Sequence, residues 1–253
     1  MKAFVKKEWM EMTRTGRLFI LFVVFLVFGI MNPAIAKLTP KLLEMMKDQM
    51  VDTGITLGSA KVNAMSSWTQ FYKNAPMVLI ITVLMFSGIL TGEYQRGTLV
   101  QVVTKGLSRV KIMLSKMLAV YCTWTVMYAV YFGVTFGYTK YFWGRDKAEN
   151  LILGVTAYWL FGMLILSFLM LFSAISENVG QVLLGCGGCV LFMVFANYIP
   201  KCKEYLPLRL MEGLSAMNGG LGGSDYTAAF LVTGALTIIS SIFAVALFNK
   251  RSI

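Results

Sequence analysis

The sequence predicts an all-α integral membrane protein, six transmembrane helices forming one domain over residues 1–253. Three observations carry this. The chain is 57% hydrophobic and only 14% charged, with a mean hydropathy of +0.70, which is too little polar residue to solvate a water-soluble domain. Six stretches contain no charge at all: residues 18–36, 74–92, 117–139, 150–176, 178–200 and 226–249. At the helical rise of about 1.5 Å per residue, each nearly or fully spans a hydrocarbon core of about 30 Å. None shows the alternation of a barrel strand, so helices are predicted.

Six spans place both ends on one side. If that side is cytoplasmic, the inner segments hold 12 Lys and Arg in 46 residues and the outer ones 11 in 72, so the positive-inside rule puts both termini in the cytoplasm. The net charge of +11 is then explained by basic residues at an anionic inner leaflet, and no nucleic-acid partner is needed.

In chain order, residues 1–17 read as an amphipathic interfacial helix. Val5, Trp9, Met12 and Gly16 fall on one side, and Lys6, Lys7, Arg14 and Arg17 occupy much of the other. The basic leader, the apolar run and Ala34-Ile35-Ala36 imitate a cleavable signal. Five further spans follow, however, and Asn32-Pro33 reads as the end of the first membrane helix. In the outer loop 37–73, Leu38, Leu42, Met45, Met46 and Met50 recur at helical spacing and predict a separate surface helix.

The loop 93–116 carries Arg96, Lys105, Arg109, Lys111 and Lys116 against the single acid Glu93. Gly97 breaks the incoming helix, Leu99, Val100, Val102 and Val103 form a short apolar-faced turn of helix, Lys105-Gly106 ends it, and Ser108 is placed to cap the third span. Within that span Gly133 and Gly137 permit close helix approach, and Tyr141, Phe142 and Trp143 suit the outer interface. Spans four and five, separated only near Glu177, predict a tight hairpin. Gly180, Gly185, Gly187 and Gly188 point to close packing or a bend in span five. Cys186 and Cys189 have redox-pair spacing but lie in an apolar run without a nearby ligand, so they read as packing residues. Residues 201–225 are apolar enough for a re-entrant or interfacial element, and Lys250-Arg251 forms an inner anchor.

Absences bound the function. The chain has no histidine, which removes histidine metal sites and histidine-dependent catalysis. No acid lies well inside a span, which argues against an enzyme and against ion-coupled transport. No G-x-x-x-x-G-K-[ST] motif occurs, so a pump built on this chain must draw its driving force from another polypeptide.

Glu93-Tyr94-Gln95-Arg96-Gly97-Thr98, then Thr104-Lys105-Gly106-Leu107-Ser108-Arg109, then Lys116, resembles the Glu…Gly-Thr…Ser-Arg…Lys pattern in permease subunits of type-2 ABC exporters. The basic amphipathic start, the six spans and the segment before span six are similar too. Lys105-Gly106-Leu107 departs from the pattern, because the family often has a proline before Ser-Arg. The resemblance implies a permease of the bacterial cytoplasmic membrane, paired with a second permease, identical or not, and with two cytoplasmic ABC ATPase subunits that bind ATP and Mg. It implies no cofactor in this chain. The first inner loop would be a coupling helix, with Leu99, Val100 and Val103 seated in the ATPase, Gly97 and Thr98 at the turn, Ser108 after it, and Glu93 contacting Arg96 or Arg109. The pathway would run along spans two and five, with Met77, Met85, Phe86, Phe192, Met193, Phe195 and Asn197 as candidates for its lining. The 18 methionines suit an amphiphilic substrate, either a peptide or a hydrophobic drug-like compound. Small permeases of this kind resemble exporters of toxic peptides, including phenol-soluble modulins. The alternatives are a passive channel or membrane scaffold, and an ion-coupled carrier.

Overall fold

The computed structural model describes residues 2–50, 62–104, 106–144, 149–199, 203–219 and 223–251, and all regular structure among them is helical. In chain order the helices are α1 (Lys2–Arg14), α2 (Arg17–Met50), α3 (Ala64–Phe86), α4 (Thr91–Gln95), α5 (Thr98–Thr104), α6 (Arg109–Trp143), α7 (Leu151–Ile175), α8 (Val179–Ala196), α9 (Gly213–Met217) and α10 (Gly223–Lys250). A 3-10 turn, Pro207–Met211, precedes α9. Among the described residues, six segments are long and apolar enough to cross a membrane: those of α2, α3 continued through α4, α6, α7, α8 and α10. The face that carries α1, α4 and α5 is the terminal face, and the opposite one the distal face.

The first span does not end at Asn32-Pro33. Helix α2 runs unbroken to Met50 with Pro33 and Pro40 inside it, so the separate surface helix expected after residue 37 is its continuation. A proline removes one helical donor and orphans the carbonyl four residues earlier. At Pro33 that carbonyl is Gly29 O, which accepts instead from Thr135 Oγ1 on α6 at 3.1 Å. Asn32 Nδ2 donates to the same Thr135 oxygen at 3.1 Å, and Asn74 Nδ2 donates to Asn32 Oδ1 at 2.8 Å. Gly29 permits this approach, since a Cβ there would stand 3.1 Å from the Val134 side chain. The second span also starts early, at Ala64, behind a capping box between Asn63 and Ser66. Lys73 ended the uncharged run in the sequence, but it points outward and the helix passes through it.

Helices α2, α3 and α6 pack together, α7 packs against α10 and α8, and α6 bridges the two groups. Aromatic side chains hold this seam. Phe71 stacks on Tyr131 at 4.4 Å and Trp124 on Tyr128 at 5.2 Å between ring centres. Tyr131 donates to Phe71 O, Tyr128 to Val155 O and Trp124 Nε1 to Trp159 O, so each polar handle is satisfied. Trp124 lies flat over Gly162, where a Cβ would come within 2.1 Å of the ring.

The α7–α8 hairpin turns at Ser176–Asn178. Asn178 caps α8 by accepting from Gln181 N, and Gln181 Oε1 accepts from Glu177 N, both at 3.0 Å. Gly185 lets the two helices touch, since a Cβ would meet the Phe172 ring at 2.3 Å, whereas Gly187 and Gly188 face open space. Cys186 is buried with its thiol donating to Ile165 O, and both Cys186 and Cys189 are free. No part of the described chain covers Gly133 or Gly137. In the expected 201–225 element, Leu210, Ala216 and Met217 are buried, and the 3-10 turn and α9 pack on α7. Residues 200–202 and 220–222 lie outside the described residues.

Candidate functional site

Between α3 and α6 the chain makes a compact hinge. Gly97 takes a left-handed conformation, φ +67°, and its N–H donates to Tyr94 O, which ends α4. Thr98 Oγ1 reaches back to Glu93 O at 3.2 Å. Gly106, φ +85°, donates to Val103 O and ends α5. Ser108 stands at the N-cap of α6, but its hydroxyl makes no capping bond. It is exposed, so its hydroxyl is open to solvent and the expected cap is not formed. Leu99 turns into the chain's own core and is 1% exposed. Val103 packs partly against that core, and the Val100 side chain lies outside what is described. Of the aliphatic residues expected to seat in a partner, Leu99 is thus already committed.

The hinge rests on an ionic joint. Lys116, in the third turn of α6, is 1% exposed at its side chain, and Glu8 of α1 is 4% exposed. The Lys116 ammonium donates to Glu8 Oε2 at 3.0 Å and Oε1 at 3.2 Å, and lies 3.0 Å from Glu93 Oε1. Glu93 Oε1 also accepts from Lys7 Nζ at 2.9 Å, and Lys7 lies 3.1 Å from Glu8 and 2.8 Å from Glu11. Two ammonium groups thus share three carboxylates, and one oxygen of Glu93 joins α1, α4 and α6. Removing such charges from water costs several kcal/mol each unless they are paired and hydrogen-bonded, as they are here. Arg17, Arg96 and Gly92 help line a small cavity of about 40 Å³ beside the cluster. Carboxylate oxygens of Glu8, Glu11 and Glu93 fall within 4.8 Å of one another, a spacing a metal ion could use, but Lys7 and Lys116 already supply the positive charge. Burial alone would lower the Lys7 ammonium; hydrogen bonds to Glu11 and Glu93 outweigh it and hold the group above its usual range. Burial would raise Glu11, yet Lys7 holds it below the usual carboxylate range.

Glu93 therefore pairs with Lys7 and Lys116 rather than with Arg96 or Arg109, because α1 docks between the ends of spans two and three. Arg96 points to solvent. Arg109 donates to Asn249 O and Arg251 O at the end of α10. Arg251 in turn caps α7 through Ala174 O at 3.1 Å and Ser176 O at 2.9 Å, with its guanidinium 4.1 Å from the Tyr94 ring centre. Gln95 donates to Glu177 O at 3.2 Å. The hinge is thereby tied to the α7–α8 hairpin as well. On α1, Val5, Trp9 and Met12 do not share one environment: Met12 is buried, Val5 is half-buried and Trp9 is 42% exposed. The inward stripe is Phe4, Glu8 and Met12, an i, i+4, i+8 series visible in the sequence with an acid at its centre. That acid was the available sign of the joint.

Above the hinge, Gly88, in the turn between α3 and α4, approaches Val179 of α8, and α3 and α8 flank an apolar groove of about 440 Å³ floored by α7. Its walls include Leu79, Val83, Ile165, Leu183 and Val190. None of the seven lining candidates borders it. Phe86 and Met193 are buried in the core, Met85 is partly buried against that core and Asn197 is half-buried. Met77, Phe192 and Phe195 point outward, at 56%, 74% and 69% exposure.

The family description "ABC-2 family transporter protein" matches residues 3–253. No curated protein matches the chain. The family lacks ATPase motifs, and its permeases pair with separate ABC ATPase subunits. A continuous match over nearly every residue, together with six apolar spans and no nucleotide-binding motif, makes this chain the membrane component of an ABC-2 type transporter: it belongs to the ABC-2 transporter family.

Proposed function

We propose that the chain forms one half of an ATP-driven exporter for an amphiphilic compound, a peptide or a hydrophobic drug-like molecule, and that the hinge α4–α5 receives the motion of a cytoplasmic ATPase. The terminal face is the cytoplasmic one in this reading, in line with the excess of basic residues there. One observation carries the proposal: a single carboxylate, Glu93, joins α1, the hinge and α6. The span that enters this joint, α3, also forms a wall of the apolar groove. A push on the exposed side of the hinge, at Gln95, Arg96, Thr98 and Thr104, would move α3 and α6 together and change the width of the groove. ATP and Mg would bind to the ATPase. A second permease would close the groove from the other side, and the seven lining candidates would enter the pathway only where that partner or a moved α8 exposes them.

The test is co-purification of the full-length chain with the ATPase expressed alongside it, followed by ATP hydrolysis in proteoliposomes. Thr98→Trp on the exposed side of the hinge should abolish association or hydrolysis while lowering thermal stability by no more than about 1.5 kcal/mol, the loss of the hydroxyl's bond to Glu93 O. An undiminished, fully active complex formed by the Thr98→Trp variant would overturn the assignment of the docking surface.

A further inference from the structure

At the terminal face, α10 meets the hinge. Ala244 and Phe248 are buried, and Arg251 continues their i, i+4, i+7 face. The packing of α10 on α7 therefore aims the Arg251 guanidinium inward, while Lys250 stays exposed. The edge of that guanidinium donates through Nη1 to Ala174 O at 3.1 Å and Ser176 O at 2.9 Å, carbonyls at the end of α7 that helix geometry leaves without an internal donor. Its central carbon lies 4.1 Å from the centre of the Tyr94 ring of α4. Among the described residues, backbone packing gives α4 no broad contact with α7, α8 or α10. Its ties to that half of the bundle run through side chains, among them Tyr94 on Arg251 and Gln95, which donates to Glu177 O at 3.2 Å.

We propose that Arg251 is a positioning residue that carries displacement of the hinge to the α7–α8 hairpin, so that a push on α4 moves α8 as well as α3 and α6. The proposal rests on the exporter reading above and deepens it by giving the lever a second arm. The chemistry selects arginine. A guanidinium is planar and always charged, so its face holds a ring while its edge donates to carbonyls. A lysine ammonium has no flat face to keep against the ring while its protons are engaged elsewhere. Arg109 fixes the base of the arm by donating to Asn249 O and Arg251 O, which holds the Arg251 backbone to the start of α6. Beyond the capped carbonyls, Asn178 and Gln181 lock the turn, so movement of the Ser176 carbonyl is passed to the start of α8.

The experiment reads hydrogen exchange of the turn amides, Ser176 to Val182, in the full-length chain in nanodiscs for the parent, Tyr94→Leu, Arg251→Lys and the double variant. Each single change should speed exchange at the turn about threefold to tenfold and leave the mid-helix amides of α2 unchanged. The double variant should exchange no faster than Arg251→Lys alone, because Tyr94 acts on the turn through Arg251. An Arg251 that only caps α7 would leave the turn unmoved by Tyr94→Leu, and that result would overturn the proposal. So would additive effects in the double variant, an Arg251→Lys turn that exchanges like the parent, or faster exchange spread equally over α2. With the ATPase bound, Arg251→Lys should keep its affinity for the ATPase, while the ATP-driven change in exchange at the turn falls about threefold or more. An undiminished ATP-driven change would also overturn the proposal. A chain that binds no ATPase sinks the exporter reading alone, and the cycle on the isolated chain then still decides whether Arg251 links hinge to hairpin.

Discussion

Replacing Lys116 by Met tests the ionic joint most directly. The substitution keeps most of the side-chain volume and leaves Glu8, 4% exposed, with only Lys7 at 3.1 Å, on a side chain that is itself 42% exposed. Breaking a buried pair from one side typically costs about 3–5 kcal/mol, because an uncompensated charge remains. At roughly 2–4 °C per kcal/mol for a chain of this size, the midpoint should fall by on the order of 10 °C. The assay is thermal unfolding of the full-length chain in nanodiscs, followed by intrinsic fluorescence, for Lys116→Met, Glu8→Gln and the double variant. Removing both charges should recover much of the loss, giving a coupling of about 2 kcal/mol or more. Lys7→Met, which touches the exposed member, should cost no more than about 1 kcal/mol. A shift under about 2 °C for Lys116→Met, or a double variant equal to the sum of the singles, would refute the joint.

The docking of α1 should follow pH in a defined window. Glu11 is held below its ordinary 4.5, so its contribution is complete above that value and lost as pH falls through the lowered one. Lys7 is held above its ordinary 10.5, so its contribution is complete below that value and lost as pH rises through the raised one. Spin labels at the exposed positions Met10 of α1 and Leu114 of α6, which leave the joint's own charges intact, should hold one separation between about pH 5 and 10 and spread on acidification. Thr135→Val removes the donor that replaces the missing proline N–H at Gly29 and should destabilise by about 1–3 kcal/mol, while Thr135→Ser should retain most of the stability in the same melt. Gly162→Ala forces a methyl into the Trp124 ring and should cost about 1–3 kcal/mol, while Gly133→Ala, which meets nothing among the described residues, should leave the melting of the isolated chain unchanged within about 0.5 kcal/mol.

Much of the architecture was legible in the residues because membrane burial writes itself locally: a charge ends an uncharged run, and a glycine marks a break. The six spans and the helix–break–helix course of the hinge at Gly97 and Gly106 are of that kind. What was not legible depends on partners far along the chain. The continuity of α2 through Pro33 needs Thr135, 103 residues from Asn32, and the identity of Glu93's partners needs α1 to fold back on α6, placing Glu8 108 residues from Lys116. Leu99 shows the same limit. Its aliphatic character predicted a buried contact, but not that the burial would lie within the chain rather than in another protein. Residue type on spans two and five does not reveal helical phase, which puts Phe86 and Met193 in the core and Met77, Phe192 and Phe195 on the exterior, while Leu183 and Val190 stand in the groove wall.

The length of α2 has a geometric consequence. Its 34 residues extend about 51 Å, some 20 Å more than a hydrocarbon core, and Lys37, about 30 Å from its start, rests 4.0 Å over the Phe142 ring of α6. The surplus therefore stands beyond the distal boundary as a mast, braced where the two longest helices meet. Anything leaving or approaching by that route encounters this projection before it encounters lipid, and a bilayer of different thickness would slide along the mast without altering the bracing at its foot.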